Sequence, residues 1–118
     1  MLPDSRIATH PGKILEEEFL RPLRLTQADL ARALHIPLNR VNEMVRGKRG
    51  ITPQSALLLA AYFGNSPEFW MNLQTAHDLT RARAEMPGKE MRVKEMRKKP
   101  VRPVAKSRAR NLRAQGAD

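Results

Sequence analysis

The chain has 118 residues, 22 Lys and Arg against 12 Asp and Glu, and no cysteine. A disulfide framework, Cys-ligated zinc and a thiol nucleophile are therefore excluded, and the length suits one small domain. The formal charge of +10 points to a polyanionic partner, because each Lys or Arg placed on a phosphate releases condensed counterions.

A ribosomal or membrane-surface protein could share this charge. The longest apolar run, Ala56 to Phe63, is too short to cross a bilayer, and no signal-like segment opens the sequence. The expectation is a soluble, cytoplasmic chain without a membrane partner.

Residues 10–84 read as one short helix after another. Strand signals are lacking: no stretch alternates apolar and polar with β-branched residues, and no Asn-Gly or Asp-Gly turn occurs. The first helix starts near Pro11, after Thr9 and His10, with Ile14, Leu15 and Phe19 as its buried stripe. Glu16, Glu17 and Glu18 face water, Glu17 and Arg21 suit an i,i+4 ion pair, and Pro22 ends the helix. The second opens on a capping-box variant, Thr26 with Asp29, presents Ala28, Leu30, Ala31 and Leu34, and stops near His35.

The third helix, Pro37 to Arg46, follows after a short turn, with Pro37 in its first turn. Leu38, Val41, Met44 and Val45 lie toward one side; Asn39, Asn42, Glu43 and Arg46 lie opposite, and Gly47 ends it. The fourth helix begins at Thr52-Pro53 and runs to Gly64 through Leu57, Leu58, Leu59, Ala60 and Phe63. The fifth begins at Ser66-Pro67-Glu68, is anchored by Phe69, Trp70 and Leu73, and fades near Arg83. For Phe69 and Trp70 two readings compete, a partner surface and core packing; packing is favoured for at least one ring.

Charge divides the chain. Residues 1–84 carry 11 basic and 8 acidic side chains, a net of +3, whereas residues 85–118 carry 11 and 4, a net of +7. The second segment has few large apolar residues and holds Pro87, Pro100 and Pro103. It reads as a basic, disordered tail in which a helix from Lys89 to Lys99 would be marginal alone. Its roles range over a DNA arm, a segment that orders on contact with a protein partner and a plain solubilising extension, with its charge favouring the first.

Two short helices joined by a tight turn, the second with one apolar and one polar face, form a helix-turn-helix pattern. In that pattern the second helix lies in the DNA major groove. Asn39 and Asn42 suit adenine edges, Arg40 guanine or phosphate, and Glu43 cytosine N4. Lys48 and Arg49 follow where backbone phosphates would lie, and Gln27 could donate to a phosphate near its helix N-terminus. A simple solvated face accounts for Asn39, Asn42 and Arg46 equally well. Leu38 is open to core packing or to contact with a thymine methyl.

Four stretches carry a family resemblance. His10-Pro11-Gly12-Lys13-Ile14-Leu15 with Glu18-Phe19-Leu20 and Pro22-Leu23 resembles the opening of HigA-type antitoxins of the Xre helix-turn-helix family. Leu25 to Ala31 resembles their first motif helix. Arg40-Val41-Asn42-Glu43 and Gly47 to Thr52 resemble the recognition helix and its exit loop, and Ser66 to Gln74 resembles the family's most specific signature. The likeness spans roughly residues 7–80.

The resemblance implies an all-α, five-helix Xre/lambda-repressor-like domain over residues 1–84 that acts as a homodimer. It implies an antitoxin that silences a HigB/RelE-like mRNA-cleaving toxin and represses its own operon by binding operator DNA. The DNA-facing residues it implies are Gln27, Leu38, Asn39, Arg40, Asn42 and Glu43, with Lys48 and Arg49 near phosphates; Arg46 joins them from the helix's polar side. Pro37 stands where the family favours a small polar cap, and His35 where glycine is common, which leaves the operator sequence open.

The other chemistries are poorly supported. His10, His35 and His77 show no metal-ligand spacing, and no cofactor or catalytic constellation is evident. His10 is placed to start the first helix. The alternatives to an antitoxin are a stand-alone Xre or phage-type repressor without a toxin, and a basic RNA-binding module; an enzyme ranks last.

Overall fold

The computed structural model describes residues 6–97, which are helical and, within that range, free of strands. The elements are α1 (Pro11–Ile14), a π-helical segment (Leu15–Leu20), α2 (Gln27–Leu34), α3 (Leu38–Val45), α4 (Pro53–Phe63), α5 (Pro67–Glu85) and α6 (Lys89–Met96). By contacts the chain forms two units, 1–85 and 86–118.

Most helix ends follow from local chemistry. Thr26 and Asp29 form a full capping box: the Asp29 N–H donates to Thr26 Oγ1 at 3.0 Å and the Thr26 N–H to Asp29 Oδ2 at 2.9 Å. Thr52 caps α4 by accepting from the Ser55 N–H, and Ser66 accepts from the Phe69 N–H at the start of α5. His10 starts α1 with its ring, Nδ1 accepting from the Gly12 N–H at 2.8 Å. Gly64 closes α4 in the left-handed conformation, while His35 closes α2 there at φ 56° without being glycine.

The first helix departs from the sequence reading. After Ile14 it widens, and the Arg21 N–H reaches the Glu16 carbonyl five residues back at 3.0 Å. The extra residue per turn moves the acidic run out of α-helical register. Arg21 Nε consequently lies 3.6 Å from Glu16 Oε1, so the expected Glu17–Arg21 pair is replaced by Glu16–Arg21. The same widening buries Leu20 together with Leu15, while Ile14 and Phe19 are half-buried.

The core of the first unit joins Leu15, Leu20, Leu30, Leu34, Val41, Met44, Ile51, Ala56, Leu59 and Trp70. Trp70 is fully buried and donates Nε1–H to Asn65 Oδ1 at 2.9 Å, whereas Phe69 is 38% exposed at the edge of the cluster. Core packing therefore holds for Trp70, while Phe69 stays partly exposed with its ring against Phe19 and Trp70. Phe19 meets Phe63 and Trp70 at centroid separations of 4.8 and 5.0 Å. Helix α1 packs on α3 and α5, α2 on α3 and α4, and α4 on α5.

Gly12 permits a close approach of α1 to α3. A Cβ built there would lie 1.8 Å from the Met44 carbonyl oxygen of α3. In the second unit α6 starts at a left-handed Gly88, and all its residues are exposed. The helix that was marginal on sequence grounds is thus formed over Lys89–Met96, and residues 98–118 of the expected tail lie outside the described range.

Candidate nucleic-acid interface

Helix α3 is two-faced because its apolar residues recur at helical spacing. Val41 and Met44 are fully buried and Val45 is half-buried. Asn39 and Arg46 are exposed, and Arg40, Asn42 and Glu43 are half-buried. Leu38, open to two readings in the sequence, is 51% exposed and lies at the outer N-terminal end of the helix. The helix is a residue shorter at each end than expected. Pro37 is its cap, with extended ψ of 143°, and its carbonyl accepts from the Arg40 N–H at 3.0 Å; Arg46 is the C-terminal cap. Proline's fixed φ suits either position, so the sequence does not separate them.

The turn that orients α3 depends on left-handed His35, which lets the Ile36 N–H return to the Ala31 carbonyl at 3.1 Å. Across the motif, Asn42 Nδ2 donates to Gln27 Oε1 at 3.1 Å. That bond fixes two amides at once: Asn42 keeps its carbonyl oxygen and Gln27 its NH2 for an outside partner. The capping box that places Gln27 also holds the Asp29 carboxyl below its ordinary value, mainly through the Thr26 N–H.

The exit loop is tied to α3 from one side. The Lys48 and Arg49 amides both donate to the Glu43 carbonyl, at 2.9 and 3.1 Å, after Gly47 turns left-handed at φ 75°. Arg49 also grips the Glu43 side chain, with Nη2 2.9 Å and Nε 3.0 Å from Oε1. Glu43 and Arg49, assigned separately to a base edge and a phosphate, are therefore partners of each other. Lys48 is exposed beside them.

From the other side the loop meets α5 and the start of α1, which enclose a cleft of about 340 Å³. The His10 ring sits 4.8 Å from that of His77 in an edge contact, and His77 Nδ1 pairs with the Ala8 carbonyl at 2.8 Å. Burial first, and His77 second, hold the His10 imidazole below its ordinary value; Asp78 opposes this and Arg81 adds to it. Sequence reasoning assigned no role to Gln74. Its Oε1 accepts from the Ile51 N–H at 2.6 Å, a contact spanning 23 residues that no local pattern announces. Among the described residues, no cluster of His, Asp and Glu could hold a metal, and no helix is long and apolar enough to cross a membrane.

The helix-turn-helix family profile matches residues 17–70, from the π-helical segment to Trp70. Virulence-associated protein I of Dichelobacter nodosus is 52% identical over 75 residues, covering 64% of this chain and 69% of that protein. The antitoxin HigA of Pseudomonas aeruginosa, solved with the higBA promoter, superposes with a TM-score of 0.66 at 40% identity, covering 81% of this chain and 97% of that one. The antitoxin GraA in complex with its operator gives a TM-score of 0.66 at 36% identity, covering 88% and 98%. The family is one of helix-turn-helix DNA-binding antitoxins and regulators, not of enzymes. This chain belongs to the Xre-type helix-turn-helix family, in the group of the HigA antitoxins and virulence-associated protein I.

Proposed function

We propose that the chain is a HigA-type antitoxin and autorepressor. Residues 1–84 act as the DNA-binding domain and residues 85–118 as a basic extension. The observation that carries the DNA half is the division of α3: Val41 and Met44 are sealed in the core while Asn39, Arg40, Asn42, Glu43 and Arg46 stay on the outer side. In a duplex groove Asn39 and Asn42 meet adenine edges, Arg40 meets guanine, and exposed Leu38 meets a thymine methyl. Arg46, Lys48 and Arg49 hold phosphates, and Gln27 both orients Asn42 and donates to the backbone. Glu43 reaches cytosine only when Arg49 exchanges it for a phosphate, so the two contacts form together.

A dimer supplies the symmetry for two half-sites about one helical turn apart. Helix α4 favours pairing with a second copy. It alone among the described helices carries no Asp, Glu, Lys, Arg or His, and it exposes Leu57, Leu58, Ala61 and Tyr62 along one side. Two chains of +10 approach each other at least electrostatic cost across such a face. The antitoxin half draws on the family: a HigB/RelE-like toxin is silenced by being covered, with no chemistry from this chain.

Two experiments test the reading. Arg40→Ala should lose about 1–3 kcal/mol on the duplex upstream of its own gene and relax specificity at one base. An equal loss on random DNA would make Arg40 a phosphate contact and remove direct readout. Co-expression with the neighbouring open reading frame should rescue growth and yield a co-purified pair. Neither rescue nor a co-purified pair, with direct readout intact, would leave a stand-alone repressor.

A further inference from the structure

Gln74 is one of two buried polar side chains among the described residues, and the other, Ser55, is occupied at the cap of α4. Every polar atom of the Gln74 amide has an assigned place. Asp78, one turn further along α5, can only accept, and takes Nε2–H at 3.0 Å. That leaves Oε1 facing the Ile51 N–H, which donates at 2.6 Å. The amide lies flat beneath the loop: a Cβ at Gly50 would come within 3.2–3.3 Å of its Cδ, Oε1 and Nε2.

The exit loop is therefore held at both ends. Its first half hangs from the Glu43 carbonyl of α3, and its second half is clamped through Ile51 by α5. Lys48 and Arg49 carry the first anchor on their own amides, with both residues exposed, and only Gly50 separates them from the second at Ile51. We propose that Gln74 is a positioning residue for nucleic-acid binding: by holding the Ile51 amide, it sets where Lys48 and Arg49 present their charge to backbone phosphates. Asp78 orients Gln74 and so acts one step further back. The inference rests on the reading that α3 and its exit loop face duplex DNA, and it makes α5 a part of that interface without touching it.

The test uses the full chain and two duplexes, one from the region upstream of its gene and one of random sequence. Gln74→Met keeps length and volume but removes the acceptor. The expected result is a folded variant at 25 °C by circular dichroism, with the Ile51 amide exchanging on the order of tenfold faster by NMR. Affinity for both duplexes falls about tenfold. The plot of log affinity against log salt becomes shallower by roughly 0.9 for each lost phosphate contact, thus by one to two contacts. A merely structural Gln74 would change the folded fraction but not that slope. The double variant Gln74→Glu/Asp78→Asn keeps an acceptor for Ile51 and reverses the pair, so it should restore slope and affinity.

An unchanged slope with Gln74→Met, or no rescue by the double variant, overturns the proposal. If Gln74→Met does not fold, Asp78→Ala serves instead, because it leaves Oε1 in place but unlocks the amide. It should flatten the slope by a smaller amount, and an unchanged slope would be as decisive. A wild-type chain whose binding shows no salt dependence would sink the DNA reading itself, whereas the Ile51 exchange rate would still report whether the clamp exists.

Discussion

Replacing Gly12 with alanine sets two known effects against each other. Alanine favours helix over glycine by about 1 kcal/mol, so propensity alone would stabilise α1. The structure opposes this. The new Cβ would sit 1.8 Å from the Met44 carbonyl oxygen, and the carbonyl must retreat by about 1.6 Å to reach an ordinary 3.4 Å contact. Neither partner can rotate away, since one is backbone and the other has no rotamer. Overpacking in a dense core costs about 1–3 kcal/mol, and a backbone clash belongs at or above the upper end. The net expectation is a loss of about 2 kcal/mol or more. For a domain of this size that lowers Tm by about 8–16 °C, which differential scanning calorimetry resolves easily. Because Met44 belongs to α3, DNA affinity should fall with stability. A Tm that stays level, or rises by a few degrees as propensity alone would give, refutes the close approach of α1 to α3.

Two further predictions concern other parts of the first unit. The His10 imidazole titrates below its ordinary value in the folded chain, chiefly through burial. The unfolded chain therefore binds the proton first as pH falls, so stability is intact at neutral pH and declines between the ordinary histidine value and the lower folded one. Tm should drop between pH 7 and pH 5. His10→Asn, which retains an acceptor for the Gly12 N–H, should shrink that drop, and an equal drop in the variant excludes His10 as its source. Leu58→Glu places a carboxylate on the charge-free side of α4 and should convert a dimer to a monomer by sedimentation equilibrium with unchanged helicity; a surviving dimer places the interface elsewhere.

The sequence was most legible where a side chain acts on its own neighbours. Thr26 with Asp29, Thr52-Pro53 and Ser66-Pro67 marked their helix starts because a cap needs only three residues of chain. The polar and apolar sides of α3 followed from spacing except at Leu38, which spacing put with Val41 and Met44 and the fold leaves 51% exposed. Features that join distant segments were silent. Nothing near Gly12 indicates that Met44 will pass against it, and nothing near Gln74 indicates Ile51. Glu43 and Arg49 each looked available for DNA because their mutual contact depends on the loop's return, six residues on. His35 was legible as an anomaly, and it does adopt the left-handed conformation usually left to glycine.

The π-helical segment bears on how the first helix can change in length. Positions five apart in an α-helix point about 140° from each other, so Leu15 and Leu20 could not both face inward in that geometry. The widened turn absorbs the surplus residue among Glu16, Glu17 and Glu18 and brings the two leucines back into phase. A homologous chain with one residue fewer between them would keep both inside through an ordinary α-turn. Deleting one residue of the acidic stretch should accordingly be accommodated better than deleting either flanking leucine.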